Sequence, residues 1–408
     1  MKTPLLTLLA LALLVVDSDN YAATRNPDGC CISTQAATQE SGQATQPSQS
    51  TETKTETETK TESEKKKKKK PFPPRGAIVA APLPIVSPAI GAGIIPGVGY
   101  IFPFGKDDKI SPPSTIGAAG LITNNGSSGF AMGAQLFMKE NKYAVTTLYF
   151  QGNVNYNLYG IGTRAGSGDL KVPLDQDGHL YFGEALRRIP WQFFIGPRFL
   201  TGDSVITVRP SSGETAAPPA DLGLHTTLRA LGFRVVRDTR PNHFYPTTGT
   251  FTQLTSDFFA EALGSKYTFQ SYRFTFNKYG TVGRNQVLAY NLFNCNTGGD
   301  PPFYGNCIYG TNNELRGYEA GRYFDRYMIA TQLEYRVSLP KRFGLAAFGG
   351  VGEVIPGGKE IFRIDNLLPS IGGGPRFDLS PKYHLNLRAD FARGRGSWTW
   401  SMGVGEAF

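Results

Sequence analysis

From Tyr327 to Leu339 apolar and polar side chains alternate. Tyr327, Ile329, Leu333, Tyr335, Val337 and Leu339 share one face, and Gln332, Glu334, Arg336 and Ser338 share the other. A period of two puts successive side chains on opposite faces of a strand, so the segment predicts a β-strand. A soluble sheet would explain that strand equally well. The last two segments shift the balance. Between Lys382 and Ala392, Tyr383, Leu385, Leu387, Ala389 and Phe391 oppose Lys382, His384, Asn386, Arg388 and Asp390. From Ser397 to Phe408, Trp398, Trp400, Met402, Val404 and Phe408 share a face, with Glu406 the single exception. An aromatic, greasy face opposite a strongly polar one is the pattern of strands with lipid outside and a wet lumen inside.

Segments of strand length recur upstream between turn signals. They are residues 90–104, 114–123, 129–138, 143–159, 191–199, 222–236, 250–259, 267–276 and 286–293. Hinges include Asn124-Asn125-Gly126, Lys139-Glu140-Asn141 and Asn277-Lys278-Tyr279-Gly280. With the C-terminal set the count is about fourteen to sixteen, and barrels of this kind carry even numbers of strands. The expected fold is therefore all-β: a transmembrane antiparallel β-barrel of about sixteen strands. Composition agrees, with 18% charged residues, 12% aromatics and 48 glycines. The mean hydropathy of −0.25 looks soluble, but a barrel with a polar lumen averages to such a value.

The first 75 residues read differently. Met1-Lys2, an apolar run from Leu5 to Val16 and the small residues Ala22-Ala23 describe a secretory signal over residues 1–23. The run is too short for a spanning helix, which needs about 20 apolar residues. Residues 24–75 form a polar tether: from Ser33 to Lys70 the chain is Thr, Gln, Ser, Glu and Lys almost throughout, without one aromatic side chain. Such a segment has nothing to bury against the entropy of ordering. Much of the net charge of +9 sits in the run Lys65–Lys70. That run reads as a solvated linker before it reads as a headgroup contact, and nucleic acid is not an expected partner. Residues 76–408 carry no second linker and read as one barrel domain.

Reactive chemistry is sparse. The histidines at 179, 225, 243 and 384 lack metal-ligand spacing, and no Gly-x-Ser-x-Gly elbow occurs. No catalytic residues, cofactor or metal are expected, and the chain reads as a non-enzyme. Cys295 and Cys307 flank a Gly/Pro/Asn-rich loop and are candidates for a disulfide, which in an oxidising compartment would stiffen that loop by about 3 kcal/mol. The Cys30-Cys31 pair has no assigned role.

Two motifs bring a family into view. Asp238-Thr-Arg240-Pro-Asn242-His-Phe-Tyr245-Pro246-Thr-Thr-Gly249 resembles the turn signature of the BamA/TamA-like surface-antigen family. Proline presets φ and glycine accepts positive φ, so a tight reversal on the periplasmic side is expected there. Leu315-Arg316-Gly317-Tyr318 resembles the family motif carried by a long loop that folds back into the lumen. Tyr-Gly-Ile-Gly at 159–162 and the Gly-Glu-Ala-Phe ending fit the same family. The resemblance spans roughly residues 82–408 and implies that Arg316 anchors the loop to acidic groups on the inner wall. The family's usual acidic partner lies in Phe-x-Asp-x-Gly, whereas here Phe348-Gly-Gly350-Val-Gly352 has glycine at the acidic position. Asp390 is the first substitute and Glu334 the second.

The resemblance further implies a bacterial outer-membrane protein of insertase or translocase type, serving barrel-protein assembly or polypeptide transport. Its partners would be outer-membrane lipids, unfolded outer-membrane or secreted polypeptides, and the barrel-assembly machinery for its own insertion. Trp398, Trp400, Met402, Val404 and Phe408 would form its C-terminal sorting signal. The family's periplasmic polypeptide-binding domains have no counterpart in the tether. The alternatives are a gated pore for small solutes, with the Arg316 loop as plug, and a surface antigen without transport.

Overall fold

The computed structural model describes residues 76–408, apart from 106, 107, 109, 160–171, 210–223, 311–313, 356–363 and 381–383. The expected signal, the tether and the Cys30-Cys31 pair lie outside the described residues. The strands are β1 (Ala77–Ser87), β2 (Gly91–Phe102), β3 (Ser114–Thr123), β4 (Ser128–Met138), β5 (Tyr143–Leu158), β6 (Val172–Ile189), β7 (Phe193–Val208), β8 (Leu224–Asp238) and β9 (Gly249–Phe259). They continue with β10 (Phe269–Gly283), β11 (Gln286–Gly299), β12 (Cys307–Ile308), β13 (Phe324–Asp325), β14 (Tyr327–Ser338), β15 (Phe343–Ile355), β16 (Leu368–Ser380), β17 (Leu385–Gly394) and β18 (Ser397–Val404). Sixteen of them close into an antiparallel barrel in sequence order, with β11 beside β14 and β1 meeting β18. β12 and β13 form a separate ribbon inside the loop between β11 and β14.

Alternation decides which face each side chain takes. On β14, Leu333 and Tyr335 point outward, while Gln332, Glu334 and Arg336 are almost completely buried inside. Outward Tyr181, Phe199, Phe233, Phe258 and Tyr272 on β6 to β10 form part of an aromatic surface, with Tyr181 packed on Phe199 and Phe258 on Tyr272. No helix among the described residues is long and apolar enough to cross a membrane. Strands supply the crossing, because closure pairs their backbone groups with neighbours.

The lumen departs from the expected wet interior. Leu148, Phe150, Leu180, Phe182 and Leu200 project inward from β5 to β7 and are buried within one apolar cluster. Phe137, Ala144, Leu186, Phe194, Val236 and Phe251 form a second cluster, drawn from β4 to β9. Part of the barrel is thus packed like a protein core, and buried ion pairs stand between the apolar patches, as Arg198–Asp257 and Arg234–Glu184 on β6 to β9 and as the network on β14 to β17.

Candidate functional site: the loop anchor and the barrel seam

The loop between β11 and β14 enters the lumen and is fixed there at three levels. The Cys295–Cys307 disulfide is formed and ties β12 to the β11 wall. Tyr309, Leu315, Tyr318 and Tyr323 are buried against Phe293, Met328, Val354 and Leu368 of the wall, and the Tyr309 hydroxyl donates to the Ile329 carbonyl at 2.7 Å. The guanidinium of Arg316 makes the deepest contact. Its Nε donates to Gln332 Oε1 at 3.0 Å and its Nη1 to Asp390 Oδ2 at 2.9 Å, while Nη2 pairs with Glu334. The Phe348 ring lies 3.3 Å from its Cζ.

Both expected substitutes therefore hold Arg316 at once. Glycine at 350 has a steric reason: a Cβ there would run into the Thr331 carbonyl oxygen of β14 and lie 2.8 Å from Leu315 Cδ1, so the neighbouring strand and the loop together fill the space an acidic side chain would need. Gly317, with φ +106°, lets the turn pass against Gly394 of β17. The loop's exit is held by Ser397 Oγ donating to the Gly317 carbonyl at 2.7 Å and by the Arg395 N–H donating to the Tyr318 hydroxyl at 3.0 Å.

Arg316 joins a larger buried network. Asp390 also accepts from Arg376 at 2.7 Å and from Arg388 at 2.8 Å, and Glu334 accepts from Arg336 at 2.5 Å. Glu406 accepts from Arg376 Nε at 2.9 Å and from Asn386 Nδ2 at 2.7 Å. Four guanidinium groups thus share three carboxylates in a space nearly closed to solvent. In such a place removing one partner is far costlier than the pair is worth, because it strands a buried charge.

Glu406 explains itself here, and with it the chain end leaves the outer face that the alternation predicts for Phe408. Trp398 and Trp400 do lie on the outer face, 73% and 50% exposed. β18, however, ends at Val404, and Gly405 takes φ +86°. That left-handed turn carries the chain inward, so Glu406 enters the ion network instead of facing lipid, and the Phe408 backbone oxygen accepts from Arg336 Nη2 at 2.8 Å. Phe408 is not a lipid-facing strand residue: its ring centroid lies 5.6 Å from the Arg336 guanidinium.

The turn after β8 also differs from expectation. Asp238 holds Arg240 through Nε at 2.9 Å and Nη2 at 2.6 Å, Asn242 Oδ1 caps the N–H groups of Phe244 and Tyr245, and Gly249 has φ +92°. Yet residues 239–248 are no tight reversal. They lean across the barrel mouth until the Tyr245 hydroxyl meets Ser338 Oγ at the end of β14, 3.1 Å away. Pro246 belongs to this arch.

The wall is weakest where β1 meets β18. The single register pair there is Val86 with Met402, whereas β1 pairs β2 along its whole length. The cause lies in the prolines. Pro82 stands opposite Pro96, and since neither has an N–H, that pair cannot exchange hydrogen bonds. In an antiparallel ladder the backbone groups of such a pair point away from each other. Pro82, Pro84 and Val86 therefore turn their backbone groups toward β18, and two of the three lack a donor. The other side obeys the same geometry: the β2–β3 ladder breaks between Ile94↔Ile122 and Gly97↔Ala119, where Pro96 faces β3. Beyond Met402 the partner strand itself runs out, because Gly405 has turned inward.

A closed sixteen-stranded membrane barrel, a lumen loop anchored on an arginine and a nearly unpaired first–last seam define the class of this protein. The Omp85 superfamily domain matches residues 122–402, and the chain belongs to that superfamily. Among solved structures it is similar to BamA from Haemophilus ducreyi lacking POTRA domains 1–3, with 13% identity and a TM-score of 0.51, covering 81% of this chain and 70% of that one. It is also similar to CdiB from Acinetobacter baumannii (12% identity, TM-score 0.52, 80% of this chain and 59% of that one). CdiB from Escherichia coli is comparable, at 8% identity and a TM-score of 0.52, with 82% of this chain and 62% of that one covered. The chain thus spans less than two thirds of either CdiB, and these likenesses concern the fold. A search of characterised protein sequences gives no significant match.

Proposed function

We propose that this barrel is an outer-membrane insertase or translocase for polypeptides, in which the β1–β18 seam is the part that opens and the Arg316 loop the part that stays. The single register pair Val86↔Met402 carries the reading. A hydrogen bond contributes only about 1 kcal/mol net, so a seam with so few of them separates far more readily than any other strand pair of the wall. Superfamily membership supports the same reading. The protein would work by conformational opening, with no bond chemistry of its own. Unfolded outer-membrane or secreted polypeptides would be its substrates and outer-membrane lipids its surroundings. The barrel-assembly machinery would insert it. The short-turn end, with the 239–248 arch, would face the periplasm.

The test is a Val86→Cys/Met402→Cys double variant in proteoliposomes, offered an unfolded polypeptide. Oxidation should lower insertion or passage at least tenfold and reductant should restore it, with the parent chain under the same reductant as control. Full activity of the oxidised variant would reject the seam as the moving part.

The anchored loop favours a second reading, a gated pore for small solutes. Single-channel conductance of the refolded barrel with and without residues 300–320 separates the two. A large rise on deletion supports a plugged pore, and equal traces exclude it.

A further inference from the structure

The short-turn mouth of the barrel holds a cavity of about 520 Å³ that the loop anchor does not use. Arg336 and Arg376 line it, together with Arg284 and Arg342 from the turns after β10 and β14, and the acidic group among its described lining residues is Asp378. Arg336 and Arg376 are 1% and 3% exposed. Arg336 Nη1 and Arg376 Nη2 are buried and have no hydrogen-bond acceptor among the described residues, although Arg336 donates through Nε to Glu334 and through Nη2 to the Phe408 main-chain oxygen, and Arg376 through Nε to Glu406 and through Nη1 to Asp390. Arg376 Nη2 stands 3.8 Å from Glu334, too far for a hydrogen bond.

Charge points the same way. Behind the cavity four guanidinium groups are held by three side-chain carboxylates and the Phe408 main-chain oxygen, and at the mouth Arg284 and Arg342 add positive charge opposite Asp378, the acidic group among the described lining residues. Asp378 offsets one rim charge, with His384 Nδ1 3.8 Å from it. A guanidinium presents planar donors that match an oxyanion, and a charge-assisted bond inside a recessed site is stronger than one in open water.

We infer that this mouth is an oxyanion-binding site, in which Arg336 Nη1 and Arg376 Nη2 hold a carboxylate or phosphate group and Arg284 and Arg342 attract it from the rim. A free inorganic anion and an acidic side chain of an entering polypeptide would present the same chemistry. The second source rests on the proposed transport role, while the site itself does not. With a polypeptide as substrate, the site gives acidic segments a resting point at the entrance and repels basic ones.

The experiment is a calorimetric titration of the full refolded chain in detergent with inorganic phosphate, hexaglutamate and hexalysine, at low and at high salt. Binding is read without transport, so its failure and the failure of the seam reading are distinguishable. Saturable, salt-sensitive binding of phosphate or hexaglutamate, weakened at least threefold in Arg284→Gln/Arg342→Gln, supports the site. Those rim variants spare the buried network and should fold. Hexaglutamate binding at least tenfold tighter than phosphate identifies a polypeptide carboxylate as the source, and the reverse order identifies a free anion. Binding of hexalysine as tight as hexaglutamate, absence of any anion binding, or unchanged affinity in the rim variant would overturn the assignment.

Discussion

The loop anchor and the seam lie on neighbouring strands and are built in opposite ways. At the anchor one side chain, Arg316, meets Gln332, Glu334 and Asp390, sits on Phe348, and belongs to a loop also tied by a disulfide. At the seam a strand with two prolines meets a strand that turns away after Val404, and a single register pair joins them. A barrel made only to hold a pore would show the reverse, a uniform wall around a movable constriction. Here the interior is over-determined and the wall is not. Glu406 links the two regions, because the residue that completes the ion network is also the one that draws the end of β18 inward. Anchor and seam are therefore expected to be coupled through that tail.

The sharpest way to break the comparison is to remove charges from the anchor one at a time. Asp390→Asn leaves Arg316, Arg376 and Arg388 without their shared carboxylate charge. It should destabilise the barrel by about 3–5 kcal/mol, as loss of one partner in a buried ion network does. Arg316→Gln leaves Glu334 paired with Arg336, and Asp390 with Arg376 and Arg388, and should cost less, about 1–3 kcal/mol. Urea unfolding in lipid vesicles measures both. Equal losses would mean that charge balance does not govern the anchor.

The next largest effect concerns the loop alone. Replacing Cys295 and Cys307 by serine should lower stability by about 3 kcal/mol in the chain-entropy account and raise hydrogen exchange across residues 300–326. Because Arg316 stays paired, exchange at Leu315–Tyr318 should rise least. A uniform rise through the loop would show that the disulfide, not the ion network, is the main fastening.

How much of this was legible in the sequence follows from what each residue is asked to do. β14, β17 and β18 were readable because their alternation is driven by lipid on one side and charge on the other. Arg316 and its two acidic partners were readable from a motif and from the faces of β14 and β17. β1 was missed because Pro82 and Pro84 argue against a strand, and a strand edge left almost unpaired is where their missing donors are tolerated. β6 was missed for a different reason. Asp175, Asp177 and Gly178 look like a turn, and Leu180, Phe182 and Leu186 point into an apolar lumen, so both faces are greasy and the alternation fades. Glu406 stood out as an exception to its strand. Nothing local says that the exception marks a turn into the lumen, because its partners Arg376 and Asn386 come from two other strands.

A third test works on the seam. Pro82→Ala/Pro84→Ala restores two donors facing β18 and should close the wall by about 2 kcal/mol at most, since each new bond is worth about 1 kcal/mol. The gain is expected to show fully only with Glu406→Leu, which frees the tail to continue the strand along β1. Spin-label distances between positions 80 and 407 read this directly. If the tail stays inward in the triple variant, Arg336 and its bond to the Phe408 backbone oxygen hold it without help from Glu406.

The smallest effect belongs to a region that neither the anchor nor the seam touches, and it serves as the baseline. Asp108 lies in the connection from β2 to β3. Its partial burial opposes ionisation, but the Ser111 hydroxyl at 2.6 Å and the N–H groups of Ser111, Glu140 and Ile110 outweigh it and hold the carboxyl at about 2 instead of 3.8. A depressed value means that the charged form is favoured by folding, so the stabilisation is present above pH 4 and is lost as pH falls through about 2. Asp108→Asn should therefore be slightly less stable than the parent at pH 6 and equal to it near pH 2, with exchange rising only around Ile110, Ser111 and Glu140. A change at Arg316 or along β18 in this variant would show that the turns of the short-turn end communicate with the anchor, and the separation of the two regions would then fail.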